Sequence, residues 1–379
     1  MNSVLFISLM NTNSWGGSEV QWLSLAECCL ENNKSVTCLV YDWEDKKSIL
    51  RKLINLGAKI IYIPNTGRKK KNIFERLRFE WVTRFEQRIF INKFNFSEYD
   101  YVVVNQGGFM DVTNHPWKNI YLKFNKYCLI FHNYTIDYQF KKNKAFILTK
   151  WMQYADKNFV ASIKIKSFLE QQLNSTFTNF QSFINPITIV KSTNVTPFHN
   201  LDMGSYKLIM LAQLDIFRKA QDNLIQAFAL PQWKERNVII ELYGGGEHFD
   251  LLEKIIFKND LTSKVFLKGI TNNVSEVLDS AHLVLQITHR DAMPISVVEA
   301  MSKSRAVVVS DVGDMPLWVN EGENGWIAPD ASVQSIADVL EKAWEKRNDW
   351  EQMGVNAFYT FLKKYPTSVD EEFYQIISQ

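Results

Sequence analysis

In "HLVLQITHRDAMPISVVEAMSKSRAVVVS", residues 282–310, an apolar run ends in a polar loop, a helical segment follows, and a second apolar run closes the unit. The outer runs are short and rich in β-branched residues. Strand, helix and strand in that order call for parallel pairing, with the helix laid on a face of the sheet. His289-Arg290-Asp291 has the look of a protein-kinase catalytic loop. Such a loop needs an Asn five residues after its Asp, and Ser296 stands there. The chain also lacks Asp-Phe-Gly and a Val-Ala-Ile-Lys strand. A kinase is excluded, and Asp291 needs another partner.

The same alternation extends in both directions. Toward the N-terminus come "YKLIMLA" (206–212), "NVIIELY" (237–243) and "KVFLKGI" (264–270). Earlier still lie "VLFISLM" (4–10), "SVTCLVY" (35–41), "AKIIYIP" (58–64), "YVVVN" (101–105), "YCLIF" (127–131) and "NFVAS" (158–162). The pattern breaks in "INPITIVKSTNVTPFHNLDMGS" (184–205), where prolines and small polar residues collect. The spacing predicts two successive α/β domains with a cleft between them. The first covers 1–190, a linker 191–205, and the second 206–350. For the helical segment 351–379, one course is back to the first domain.

With 379 residues and 46% hydrophobic content, both domains can bury a core. A net charge of +2 argues against a dedicated nucleic-acid binder. Cys28, Cys29, Cys38 and Cys128 form no Cys-x-x-Cys pair and read as reduced, buried thiols of a cytosolic protein. "MNSVLFISLM" lacks a positive n-region and reads as a strand, not a signal peptide.

Candidate site residues fall on loops that follow strands, where ligands bind in such sheets. "WGGSE" (15–19) opens a helix, and Gly16 and Gly17 let the backbone approach an anion. The bland alternative is an ordinary glycine turn. "YGGGEH" (243–248) fails Gly-x-Gly-x-x-Gly at Phe249, so a nicotinamide dehydrogenase loses its support. Arg218 and Lys219 suit a diphosphate, or a solvated basic turn. His132, at the end of "YCLIFH", can donate to a hydroxyl or phosphate, or be a structural His. Asp291 on a loop and Glu299 on the helix after it offer two carboxylates that paired hydroxyls can reach. Charge-assisted bonds of that kind contribute roughly 1.5–3 kcal/mol each. With Pro294 near the first helical position, Glu299 falls inside that helix. No Asp-x-Asp metal motif occurs.

Together these residues resemble the retaining glycosyltransferases of family four, whose GT-B fold has two Rossmann-like doubly wound parallel-sheet domains facing a central cleft. The resemblance rests most on "DAMPISVVEAM" and "VVVSDVGDMPLWVNEGENGWIA" (307–328), and it spans nearly the whole chain. It implies a metal-independent transferase without a cofactor, with a UDP- or GDP-linked sugar as donor and a saccharide or lipid-linked acceptor in cell-surface polysaccharide synthesis. His132 and Asp291 would act at the transferred sugar. Gly16, Gly17, Gln213, Arg218, Lys219, Ile270, Ala292, Met293, Ile295 and Glu299 would bind the donor, with Glu299 on the ribose. Gln213 stands where the family has an Arg, Asp291 where it has a Glu, and Leu317 replaces a further Glu. Those departures motivate the alternative of a weak or inactive homologue that partners an active enzyme.

Residues 67–93, "GRKKKNIFERLRFEWVTRFEQRIFINK", are basic with an apolar helical stripe through Ile73, Phe74, Leu77, Trp81, Phe85 and Ile89. One reading puts that stripe in the core and the basic face in water. The other sets the segment on an anionic membrane, making a cytoplasmic protein peripheral at the inner face of the plasma membrane.

Overall fold

A computed structural model describes residues 1–11, 17–64, 73–133, 138–198 and 205–378, without the side chains of 73–81. Gly16 and the Lys69–Lys71 loop fall outside the described residues. The chain divides into two compact units. One joins Met1–Pro186 to Ser368–Gln379, and the other runs Ile187–Thr367.

The first unit holds β1 (Ser3–Ser8), β2 (Ser35–Tyr41), β3 (Lys59–Ile63), β4 (Tyr101–Gln106), β5 (Tyr127–Phe131), β6 (Lys157–Val160) and β7 (Phe180–Ser182). They form one sheet in the order β3-β2-β1-β4-β5-β6-β7, parallel throughout. β4 and β5 are buried along their whole length, as expected of parallel strands covered on both faces. The core packs Val4, Phe6 and Val103 of the sheet against Trp22 and Leu25 of the helix Gly17–Glu31, and includes Phe373 and Ile377.

The second unit holds β8 (Tyr206–Leu211), β9 (Val238–Tyr243), β10 (Val265–Gly269), β11 (Leu283–Gln286), β12 (Ala306–Ser310) and β13 (Gly325–Ala328). Its sheet runs β10-β9-β8-β11-β12-β13, again parallel. In each sheet the strand order reverses once, between β1 and β4 and between β8 and β11. The carboxyl ends at such a switch point are where open α/β sheets bind ligands.

β7 and β13 are absent from the sequence reading. Both are edge strands, of three and four residues, too short to make an apolar run. In the helix Ile73–Lys93, the reading that puts the apolar stripe in the core fails at its two described positions. Phe85 and Ile89 are 54% and 41% exposed, and Val82 is exposed beside them. Thr83, Gln87 and Ile91 take the buried face instead, with the Gln87 amide donating to the Pro64 carbonyl at 2.6 Å. All four cysteines are buried and unpaired.

Candidate active site

At the switch point of the second unit, the loop after β11 is pinned to the short helix Ile216–Lys219. The Thr288 hydroxyl and the His289 amide donate to the Arg218 carbonyl at 2.5 and 2.8 Å. The His289 and Arg290 side chains are exposed, and the backbone amides of both residues face the Arg218 carbonyl. That docking brings the Lys219 ammonium into an ion pair with Asp291 Oδ2, both side chains largely buried. Asp291 Oδ1 accepts from the Ala292 amide at 2.9 Å. Gly313, with φ +56°, lies hard against the carbonyls of Asp291 and Ala292, where a Cβ would collide. The Asp314 amide donates to the Ala292 carbonyl at 2.8 Å. The acid loop is therefore held from two sides.

The helix Ile295–Ser302 follows, with Pro294 at its N-cap and thus one position earlier than the sequence suggested. Glu299 lies inside this helix and is only 4% exposed. Its Oε1 accepts from the Thr188 amide at 2.7 Å and the Thr188 hydroxyl at 2.6 Å. Burial pushes the Glu299 carboxyl up, and the Thr188 bonds pull the other way. Oε2 receives no hydrogen bond among the described residues. Ala292 and Met293 are buried and Ile295 is half-buried at the start of the same helix.

The other donor-site candidates lie at the same edge of the sheet. Gln213 and Arg218 are exposed after β8, and the Gln213 carbonyl accepts from Gln221 Nε2 at 2.8 Å. Ile270 follows β10 and is 80% exposed. The glycines after β9 serve packing: a Cβ on Gly246 would strike the Leu214 backbone. They let the loops after β8 and β9 touch.

In the first unit, Gly17 opens the helix Gly17–Glu31. Glu19, two residues on, is fully buried and ion-paired with the equally buried Lys46. Ser8, at the end of β1, accepts from Lys46 Nζ at 3.3 Å and donates to Glu19 Oε1 at 2.7 Å. Asn105, near the end of β4, donates from Nδ2 to Glu19 Oε1 at 3.3 Å. His132 Nε2 and Asn105 Oδ1 are 2.7 Å apart. Burial pushes the His132 imidazole down to about 3, so it is neutral at ordinary pH. Its ring stands edge-on to Phe183.

Thr188, Lys46, Asn105 and Gly313 were not singled out from sequence. Thr188 sits in the proline-bearing break, and Lys46 in the charged run "DWEDKK". Neither context signals a buried bond.

Residues 192–359 match the family model for glycosyl transferases group 1. Two curated relatives align over part of the chain. Poly(glycerol-phosphate) alpha-glucosyltransferase of Bacillus subtilis (strain 168) is 25% identical over 178 residues, 46% of this chain and 26% of that protein. Poly(ribitol-phosphate) alpha-N-acetylglucosaminyltransferase of Staphylococcus aureus (strain COL) is 27% identical over 150 residues, 39% of this chain and 30% of that protein. The chain thus spans under a third of the length of either relative. Among solved structures, Anabaena Alr3699/HepE in complex with UDP-glucose matches with a TM-score of 0.73 at 15% identity, over 100% of both chains. That likeness is one of fold, and the fold is GT-B.

Proposed function

We propose that the chain is a retaining glycosyltransferase that moves a sugar from a nucleotide-diphosphate donor to a saccharide or lipid-linked acceptor of the cell surface. The observation that carries it is the pairing, within the glycosyl transferases group 1 segment, of Lys219 with Asp291 beside Glu299. Lys219 is a cation for the departing diphosphate, and its electrostatic stabilisation grows in a site that excludes water. Asp291 then turns its carboxylate to hydroxyls of the donor sugar. Glu299, anchored by Thr188 on one oxygen, offers the other to the ribose. Charge on the leaving group is met by Lys219 and, through Arg218, by a second cation near the gap left at Gln213; no metal is required in this reading. UDP is the favoured nucleotide, because a UDP-glucose complex is among the solved structures of this fold. The relatives named for poly(glycerol-phosphate) and poly(ribitol-phosphate) favour a polyol-phosphate polymer as acceptor.

The exposed Val82, Phe85 and Ile89 support a membrane-facing role for the helix Ile73–Lys93, with Arg84 and Arg88 exposed among them. Arg88, Lys118 and Arg84 also hold the nearby His115 imidazole down, after burial itself. Positive potential beside an apolar stripe suits anionic headgroups.

The test is release of nucleoside diphosphate from a panel of UDP- and GDP-sugars, with and without polyol-phosphate acceptors, in EDTA and in magnesium. The expected result is release from one UDP-sugar, stimulated by acceptor and unaffected by EDTA. No release from any donor would overturn the transferase reading, and loss in EDTA restored by magnesium would overturn the metal-free part.

A further inference from the structure

The chain from Lys46 to His132 in the first unit crosses four fully or nearly buried polar residues, and each has a fixed set of hydrogens to give. A carboxylate paired with an ammonium only accepts. Glu19 therefore requires the Ser8 hydroxyl and the Asn105 amide nitrogen to point at it, in agreement with the bonds at 2.7 and 3.3 Å. The Asn105 carboxamide then has one orientation. Turned over, it would set Oδ1 against the Glu19 oxygen, two acceptors in a space without water. With Nδ2 committed to Glu19, Oδ1 faces His132 Nε2 at 2.7 Å. A carboxamide oxygen cannot donate, so the hydrogen belongs to the imidazole. A neutral imidazole carries one hydrogen, and Nδ1 is left with a lone pair. Among the described residues nothing donates to that nitrogen.

We propose that Lys46, Glu19 and Asn105 form a positioning chain that fixes His132 as the Nε2–H tautomer, so that Nδ1 takes a hydrogen bond from a ligand hydroxyl. The ligand group at His132 must bring its own hydrogen. A sugar or polyol hydroxyl does so; an ionised phosphate oxygen does not and is repelled by the lone pair. This differs from the expectation that His132 donates to a hydroxyl or phosphate. It rests on the transferase reading for the identity of the hydroxyl, and on geometry alone for the tautomer.

The tautomer is measurable without any ligand. In protein carrying 15N-labelled histidine, the His132 signals are those missing from His132→Gln. The expected spectrum has a pyridine-type Nδ1 and a pyrrole-type Nε2 bearing the proton, unchanged across neutral pH. A protonated Nδ1, or averaged signals from both tautomers, would overturn the proposal. Asn105→Leu removes the lock and should give averaged signals, and an unchanged tautomer there would also overturn it. If Asn105→Leu fails to fold, Glu19→Gln serves, since a glutamine amide can meet Asn105 in either orientation. Absence of diphosphate release together with the expected spectrum counts against the transferase reading and leaves the positioning chain standing.

Discussion

Among the described residues, both hydrogen bonds that reach the Glu299 carboxylate come from Thr188, and both end on Oε1. A glutamine at 299 keeps an oxygen for Thr188 but offers a ligand hydroxyl no charged acceptor. Glu299→Gln should therefore weaken binding of the nucleoside diphosphate by roughly 1.5–3 kcal/mol, ten- to a hundredfold or slightly more. Thr188→Val should weaken it less, by loosening the carboxylate. Calorimetry with UDP checks both, and an unchanged dissociation constant for Glu299→Gln removes Glu299 from the ribose.

Lys219 is shared between Asp291 and the proposed diphosphate. Lys219→Ala should lower donor affinity by roughly ten- to a hundredfold and also leave Asp291 partly buried without its cation, lowering Tm. Arg218→Ala should lose affinity without that loss of Tm, because the Arg218 side chain is exposed and its carbonyl does the structural work. Gln213→Arg should tighten donor binding and rescue Arg218→Ala. If it does neither, Arg218 does not stand in for the missing cation.

Gly313 and Gly322 share a positive φ, +56° and +75°, but differ in surroundings. A Cβ on Gly322 meets nothing within 4 Å, while on Gly313 it meets the Asp291 and Ala292 carbonyls. Gly322→Ala should cost about 1–2 kcal/mol of stability from the backbone conformation alone. Gly313→Ala should cost more and displace the acid loop, so donor affinity falls as well. Thermal melts and UDP binding on the two variants separate the effects; equal behaviour would show that the loop tolerates the shift.

His282 links stability to pH. Burial, with Arg305 and Lys207 nearby, holds its imidazole down to about 4, while an unfolded histidine titrates near 6.5. The unfolded chain takes up a proton that the folded one refuses. The contribution is intact above about pH 6.5 and is lost as pH falls toward 4, on the order of 1 kcal/mol per pH unit. His282 Nδ1 accepts from the Lys207 amide at 3.0 Å, and an asparagine oxygen can replace it. His282→Asn should flatten the fall in Tm between about pH 6.5 and 4. Glu299 acts with the opposite sign, because its carboxyl is pushed up: it lowers stability as pH rises through the carboxylate range.

Much of this architecture was legible from apolar runs, because strands buried on both faces have nowhere to place polar residues. The Asp291 loop and the Glu299 helix were legible because one short segment carries both acids. Lys46, Glu19 and Asn105 were not. They meet only when three strand ends are aligned, and their separation along the chain leaves no local pattern. The helix Ile73–Lys93 misled for a different reason. Its apolar stripe has helical spacing, yet at Phe85 and Ile89 it faces outward, while Gln87 is accommodated inside by its bond to the Pro64 carbonyl.

The exposed Phe85 and Ile89 give the fifth expectation. The protein should sediment with vesicles in proportion to their anionic lipid, and less so in salt. Each basic residue near such a surface contributes on the order of 1 kcal/mol. Phe85→Ser with Ile89→Ser should reduce recovery at every lipid composition, and Lys69, Lys70 and Lys71 changed to Ser should reduce it on anionic vesicles alone. Equal recovery with neutral and anionic vesicles would refute the membrane role.

The helix Val369–Ser378 lies against the helix Gly17–Glu31, joined through Ser24 and Asp370, 346 positions apart. A ribosome builds a chain from one end. The unit that begins first is therefore finished last: Ile187–Thr367 can fold as one uninterrupted piece while its predecessor still waits for Phe373 and Ile377. Until they arrive, the apolar face around Trp22 and Leu25 has an open flank, and a nascent chain in that state is a natural client for chaperones.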